Sequence, residues 1–404
     1  MWRKWGVLGD NWGSLVLLVA VVAFSASIWG IMSIWGIIMN RRTLLASLTG
    51  GAAVLAADAR NVWAQSRGGP GRRNLITDVA GLAIGQAEDM KVRTGVTVIL
   101  PETRVTCAAD VRGGGPGTRE TDALNSWNLV HSVDAVVLSG GSVYGLAAAD
   151  GVAAWLGAHD RGYGMSQAPG VPKSPVIPAA ILYDLANRGD KKWDLTPPYR
   201  DLGLRAAESA GADFKLGTAG AGYGAGAGDL KGGTGSASFV TSDGITVGAI
   251  VAVNCLGSVV VPGTKNFWAG PFEIGNEFGG LGASAKRAVG EDWGQTKANP
   301  TPRANTTIAC IATDVDLDID QMKRVTMMAQ DGLARAIRPI HSPFDGDVVF
   351  GLSTAKQKIK GPSADFVVTR IGSIAADVLS RAVARGVYEA SLPPGMEGKT
   401  WRML

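Results

Sequence analysis

The sequence predicts an α+β fold whose sheets are covered by helices on their outer faces. Three observations carry that prediction. Five short runs rich in Val and Ile, at 93–100, 134–140, 244–254, 306–314 and 347–354, are bounded by Gly, Asp, Asn or Pro, as strands are. Two later segments, 318–338 and 364–388, repeat apolar residues at intervals of three and four, the helical period. The composition, 46% hydrophobic and 18% charged over 404 residues, is that of a globular protein with one unusual part.

That part is the N-terminus. Residues 14–38, "SLVLLVAVVAFSASIWGIMSIWGII", are apolar, uncharged and long enough to span a bilayer. Arg41 and Arg42 then precede a weakly apolar, Gly- and Ala-rich stretch that ends at a small-residue cleavage site, Val62, Trp63 and Ala64. The order reads as a twin-arginine export signal over 39–64. Such a signal belongs at an N-terminus, so Met39 is the expected start and 1–38 an over-extended reading frame. A membrane anchor followed by a linker is the competing reading. The mature protein is expected to be exported, in the periplasm, as a single domain over 65–404 with a flexible lead, "QSRGGPGRR".

Each later element has its own signals. "DVRGGGPGTRETDAL" (110–124) lacks the endings of a P-loop or a dinucleotide fingerprint and reads as a turn. "LSGGSVYGLAAADGVAAWL" (138–156) fails the nucleophile-elbow pattern because Tyr144 occupies the last glycine position. It reads as a strand, a Gly turn and an Ala-rich helix. The Gly- and Ala-rich stretch 217–238 lies between strand-like segments and is expected to be an ordered loop. In 318–338 the periodic residues are Met322, Val325, Ala329, Leu333 and Ile337, and Pro339 stops the run. In 364–388 they include Ile371, Ile374, Val378 and Val387, after Ser363 as a cap.

Charge and cysteine usage exclude several functions. The net charge of +4 is spread along the chain, without the clustered basic face that nucleic-acid binding needs. Cys107, Cys255 and Cys310 show no CxxC spacing, so they read as buried small hydrophobes rather than zinc ligands. Only His131, His159 and His341 are present, which leaves few candidates for His-based chemistry. No cofactor is expected.

The chemistry points to "ANTTIACIATD" (304–314), where Asn305 and Thr306 open a strand-like run. Cleavage between them would give Thr306 a free α-amine, whose ordinary pKa of about 7.7–8.0 suits it to deprotonate its own hydroxyl. On its own, the pair reads first as the end of a loop and the start of an ordinary strand. A second stretch, "HSPFDGDVVFGLST", places Asp345 and Asp347 on either side of one glycine. In an extended segment they project to the same side and raise at least one carboxyl pKa. A hairpin turn is one alternative; calcium binding is another, without the spacing of an EF-hand.

Taken together, "DVRGGGPGTRETDAL", "VVLSGGSVYGLAAADGV", "VIPAAILYDL", "LKGGTGSAS", "VAVN", "NTTIACIATD" and "FDGDVVFGLST" resemble the L-aminopeptidase/D-esterase (DmpA) family, in the family's order. That family includes β-peptidyl aminopeptidases and the nylon-oligomer (6-aminohexanoate oligomer) endohydrolase. The resemblance covers about residues 75–390. It implies an αββα sandwich of the N-terminal-nucleophile kind, the fold it shares with the ornithine acetyltransferase family, whose own motifs are not seen. It also implies self-cleavage into 65–305 and 306–404, with Thr306 as nucleophile. Asp345 and Asp347 match orienting acids, Lys231 an active-site lysine, Asn254 an oxyanion donor and Tyr183 an active-site tyrosine. The expected function is amide hydrolysis of peptides or small amides through an acyl-enzyme, by a homo-oligomer of processed pairs. Thr306 and the two Asp look more like the nylon-oligomer branch, "DVRGGGPGTRETD" more like the aminopeptidases. An endo-acting hydrolase of ω-amino-acid oligomers is the alternative within the class. A non-enzymatic exported binding protein is the alternative outside it.

Overall fold

The computed structural model describes residues 68–164, 168–287, 290–294, 296–297 and 305–404. The apolar stretch at 14–38 and the export signal expected at 39–64 lie outside them. Among the described residues, no helix is long and apolar enough to cross a membrane.

The elements in chain order are β1 (Leu82–Asp89), β2 (Thr94–Pro101), β3 (Val105–Val111), β4 (Thr118–Arg119), β5 (Ser132–Val133), β6 (Val136–Ser139), α1 (Ala148–Ala158), β7 (Ala179–Ile181), α2 (Tyr199–Glu208), β8 (Gly226–Ala227), β9 (Leu230–Lys231), β10 (Gly233–Val240), β11 (Thr246–Asn254), β12 (Thr306–Val315), α3 (Ile319–Ala336), β13 (Val348–Gln357) and α4 (Ala364–Tyr388). One sheet has the order β1-β2-β6-β7-β4, and the second β10-β11-β12-β13-β3-β5. β11 and β12 pair antiparallel, β12 and β13 parallel.

Side-chain alternation sorts the strands into layers. Val247, Ala249, Val251 and Val253 of β11, with Ala309 and Ile311 of β12, join one core with Met322, Val325 and Leu333 of α3 and Ile371, Leu379 and Val383 of α4. The intervening Ile250, Ala252, Ile308, Cys310 and Ala312 join a second core with Ile84, Ile99, Val136 and Leu138 of the other sheet. A third core packs Val96, Val98 and Val137 against Val152 and Leu156 of α1 and Leu202 and Ala206 of α2. The layers therefore run helix, sheet, sheet, helix, as the αββα expectation requires. Burial on both faces is why β11 and β12 read as continuous apolar runs.

The helix caps follow the sequence. Asp318 Oδ1 accepts from the Gln321 amide at 2.8 Å and Ser363 Oγ from the Phe366 amide at 3.2 Å. α3 ends at Ala336, because the chain turns extended at Ile337 ahead of Pro339. β10, "GTGSASFV", has no apolar signature because α4 lies on its backbone: a Cβ on Gly235 would stand 1.8 Å from the Ala382 carbonyl.

Candidate active site

Two strands of the larger sheet, β11 and β12, and the segments beside them present chemistry at one end of that sheet. Asn254, the last residue of β11, is the register partner of Thr306, the first residue of β12. Asn254 shares its pleat with Ile250 and Ala252, and Thr306 with Ile308 and Cys310, so both face the space between the sheets. Gly233 pairs with Val253, which puts Lys231 just beyond the end of β11. Asp345 and Asp347 immediately precede β13. Asn254, Thr306, Asp345, Asp347 and Lys231 are all buried, and Tyr183 is half-buried.

The Thr306 hydroxyl donates to the carbonyl of Asn305, the residue before it. Both polar atoms of the buried Asn305 side chain lack a hydrogen-bond partner among the described residues. The Asp345–Asp347 segment runs close past the hydroxyl: a Cβ on Gly346 would lie 2.8 Å from Thr306 Oγ1 and 2.7 Å from the Gly115 carbonyl. Within the 110–124 stretch, Gly113, Gly114 and Gly115 form the expected turn between β3 and β4, and this turn clasps the segment. The Gly115 amide donates to the Asp345 carbonyl at 2.7 Å and the Arg112 amide to the Asp347 carbonyl at 3.0 Å.

The two carboxylates have separate partners. Asp347 Oδ1 accepts from the Thr307 amide at 2.7 Å, while its Oδ2 accepts from the His341 amide at 3.0 Å and lies 2.9 Å from His341 Nδ1. Asp345 accepts from the Leu256 amide at 3.1 Å and from the Ser342 hydroxyl. Burial, and after it the neighbouring Asp347, holds the Asp345 carboxyl above the usual carboxylate range. The segment comes from the loop after α3 and crosses no hairpin, so the exposed-turn alternative does not apply.

The Asn254 amide is fixed in orientation by unlike partners on its two ends. Its Oδ1 accepts from the Gly226 amide at 2.9 Å, and its Nδ2 donates to the Tyr183 carbonyl at 3.0 Å. One Nδ2 hydrogen remains for another acceptor. Tyr183 thus meets Asn254 through its backbone rather than its hydroxyl. Lys231 donates to the carbonyls of Gly222, Ala225 and Gly232 at 3.2, 2.9 and 2.7 Å, which uses all three ammonium hydrogens and pins the Gly-rich loop. Burial pushes its pKa down to about 7, against an opposing pull from Asp184.

A cleft of about 710 Å³ opens over this end of the sheet and is lined by Tyr183, Lys231, Asn254 and Asn305 among others. The fold brings to this region groups that the sequence did not single out. Asp184 is buried, accepts from Thr94 Oγ1 at 2.6 Å and from the Gly141 amide at 2.8 Å, and is pushed by burial up to about 6. Lys297 reaches Asn254 from the segment ahead of Thr306. His341 and Ser342 stand behind the aspartates. Their nearness to Asp345 and Asp347 in sequence was the one available signal.

The profile of peptidase family S58 matches residues 74–401 of this chain. An uncharacterized aminopeptidase of Mycobacterium bovis is 42% identical over 342 residues, covering 80% of this chain and 96% of that protein. A 6-aminohexanoate-oligomer endohydrolase of Kocuria is 29% identical over 327 residues, covering 78% of this chain and 86% of that protein. Among solved structures, the L-aminopeptidase D-Ala-esterase/amidase of Ochrobactrum anthropi, described as a variant of the Ntn hydrolase fold, superposes with a TM-score of 0.60 at 22% identity, covering 83% of this chain and 92% of that one. With the fold and nearly the whole described chain matched, the protein is a peptidase and belongs to family S58.

Proposed function

We propose that the chain cuts itself between Asn305 and Thr306 and then hydrolyses peptide or small amide bonds with Thr306 as nucleophile. The observation that carries this reading is the Thr306 hydroxyl seated on the Asn305 carbonyl, at the free end of a buried strand. In the self-cleavage, Oγ1 attacks the Asn305 carbonyl carbon and its proton passes to the Thr306 nitrogen. The C–N bond breaks and an ester forms. Water then hydrolyses the ester, leaving an Asn305 carboxylate and a Thr306 with free hydroxyl and free amine. The buried, unpartnered Asn305 amide favours the cut, because an unsatisfied buried polar group costs about 1–3 kcal/mol and a freed end can reach water.

In turnover, the α-amine takes the Oγ1 proton as the oxygen attacks the substrate carbonyl. The second Nδ2 hydrogen of Asn254 stabilises the oxyanion, held in place by Gly226 and the Tyr183 carbonyl. The departing amine leaves with the proton, and water cleaves the acyl-enzyme. Asp347, bonded to the Thr307 amide, fixes the backbone next to the nucleophile. Lys231 shapes the cleft floor through the three carbonyls it holds.

The test is the N-terminus of the smaller fragment. N-terminal sequencing and intact mass should give a chain that begins Thr-Thr-Ile-Ala, and Thr306→Ala should give one uncut, inactive chain. An active wild-type chain that stays whole rules the mechanism out. Peptide, β-peptide and ω-amide substrates assayed in parallel assign the branch.

A further inference from the structure

The cleft holds a second lysine, and its placement bears on how the scissile bond is presented. Lys297 lies nine positions before Thr306 in sequence and returns to the same strand end. Its Nζ donates to the Asn254 carbonyl at 3.1 Å and to Asn254 Oδ1 at 3.2 Å. Its backbone amide donates to the Leu256 carbonyl at 3.1 Å, and the Leu256 amide in turn donates to Asp345 Oδ1 at 3.1 Å. Among the described residues no carboxylate lies within ion-pair distance of this ammonium.

Two physical effects follow. First, Lys297 is bonded to Asn254 and Thr306 stands opposite Asn254, so two points of the chain nine positions apart are held at one residue beside the scissile bond. Fixing a loop's ends in advance removes entropy that the reaction would otherwise have to surrender. Second, a cation on Oδ1 draws electron density from the amide and strengthens the hydrogen-bond donation of its Nδ2, the group assigned above to the oxyanion.

We propose that Lys297 is a positioning residue for the self-cleavage, clamping the segment ahead of the cut onto Asn254 and polarising that amide toward the attacked carbonyl. This rests on the reading that Asn305–Thr306 is cut by its own hydroxyl. Lys297 touches no reacting atom and acts through Asn254. Because it holds the chain that precedes the cut, its effect is read on the rate of maturation.

The experiment follows a pulse-labelled full-length chain by the appearance of the fragment that begins at Thr306. Wild type, Lys297→Met, Lys297→Gln, Lys297→Arg and the exposed-surface control Lys358→Met are compared, with Tm measured on each. Lys297→Met and Lys297→Gln are expected to slow the cut by about tenfold or more, the scale of a lost charged hydrogen bond. Lys297→Arg should retain most of the rate and Lys358→Met all of it, while any fall in Tm should be small enough to leave both neutral variants folded at the assay temperature. Two results overturn the proposal: cutting of both neutral variants at the wild-type rate, or an equal loss in Lys297→Arg, which would assign the effect to shape. If wild type itself never yields the Thr306 fragment, the underlying self-cleavage reading is what fails.

Discussion

Asn254 and Thr306 are cross-strand partners: the last residue of β11 stands directly opposite the first residue of β12, on the face that looks between the sheets. Directly opposed Cβ atoms in such a ladder are about 4.5–5.5 Å apart. An amide and a hydroxyl are thus held within one substrate carbonyl of each other by the backbone ladder itself. Asn254→Asp keeps the shape and removes the donor. It should lower kcat by about 10²–10³-fold with little change in KM, the range for one lost oxyanion donor. Steady-state kinetics on a peptide amide measures it, and a drop confined to KM would remove Asn254 from that role.

Gly346 marks where the acidic segment passes closest to the Thr306 hydroxyl. The side chain of Gly346→Ala would meet Thr306 Oγ1 at 2.8 Å and the Gly115 carbonyl at 2.7 Å, with backbone on one side that cannot yield. The expected result is loss of self-cleavage and a stability loss of about 1–3 kcal/mol from overpacking. Gly157→Ala in α1 is the control. Its Cβ meets nothing within 4 Å, so the helix should gain about 0.5–1 kcal/mol. Urea unfolding and gel analysis of both variants separate a local clash from a general intolerance of alanine.

His341 orients Asp347 from behind through both its amide and Nδ1. His341→Ala removes the side-chain bond and should lower processing and turnover by about 10-fold or more, the cost of a hydrogen bond to a charged group. Asn can place its Nδ2 where Nδ1 stands, so His341→Asn should recover most of the activity. Equal loss in both variants, with equal Tm, would show that Asp347 does not need this donor.

How much of this was legible in the sequence depended on whether the signal was local. β11 and β12 could be read because burial on both faces makes them apolar throughout. β10 could not, since its glycines and serines are selected by the close approach of α4, a contact more than a hundred residues away in sequence. Asn305, Thr306, Asp345 and Asp347 stood out by type and spacing. Asn254, Lys231 and Tyr183 came only from family resemblance, because three separate segments bring them together. Lys297 gave no signal at all, for its meaning lies in the register that returns the chain to Asn254.

Asp184 supplies a pH-dependent prediction. Burial raises its folded-state pKa from 3.8 to about 6. Between those values the unfolded chain has released the proton and the folded chain still holds it. Stability from this group is therefore fully present below about pH 4 and is lost as pH rises through about 6. The ceiling on that loss is on the order of 3 kcal/mol. Asp184→Asn keeps an oxygen for the Gly141 amide, and the Thr94 hydroxyl can turn to accept from the new amide. The variant does not titrate, so its stability relative to wild type should rise from pH 4 to pH 7. Other carboxylates contribute equally to both proteins and cancel in the difference. Paired urea titrations at pH 4, 5, 6 and 7 give that difference directly. A flat profile would mean that Asp184 is ionised in the folded protein throughout, held so by Lys191 and its two hydrogen-bond donors.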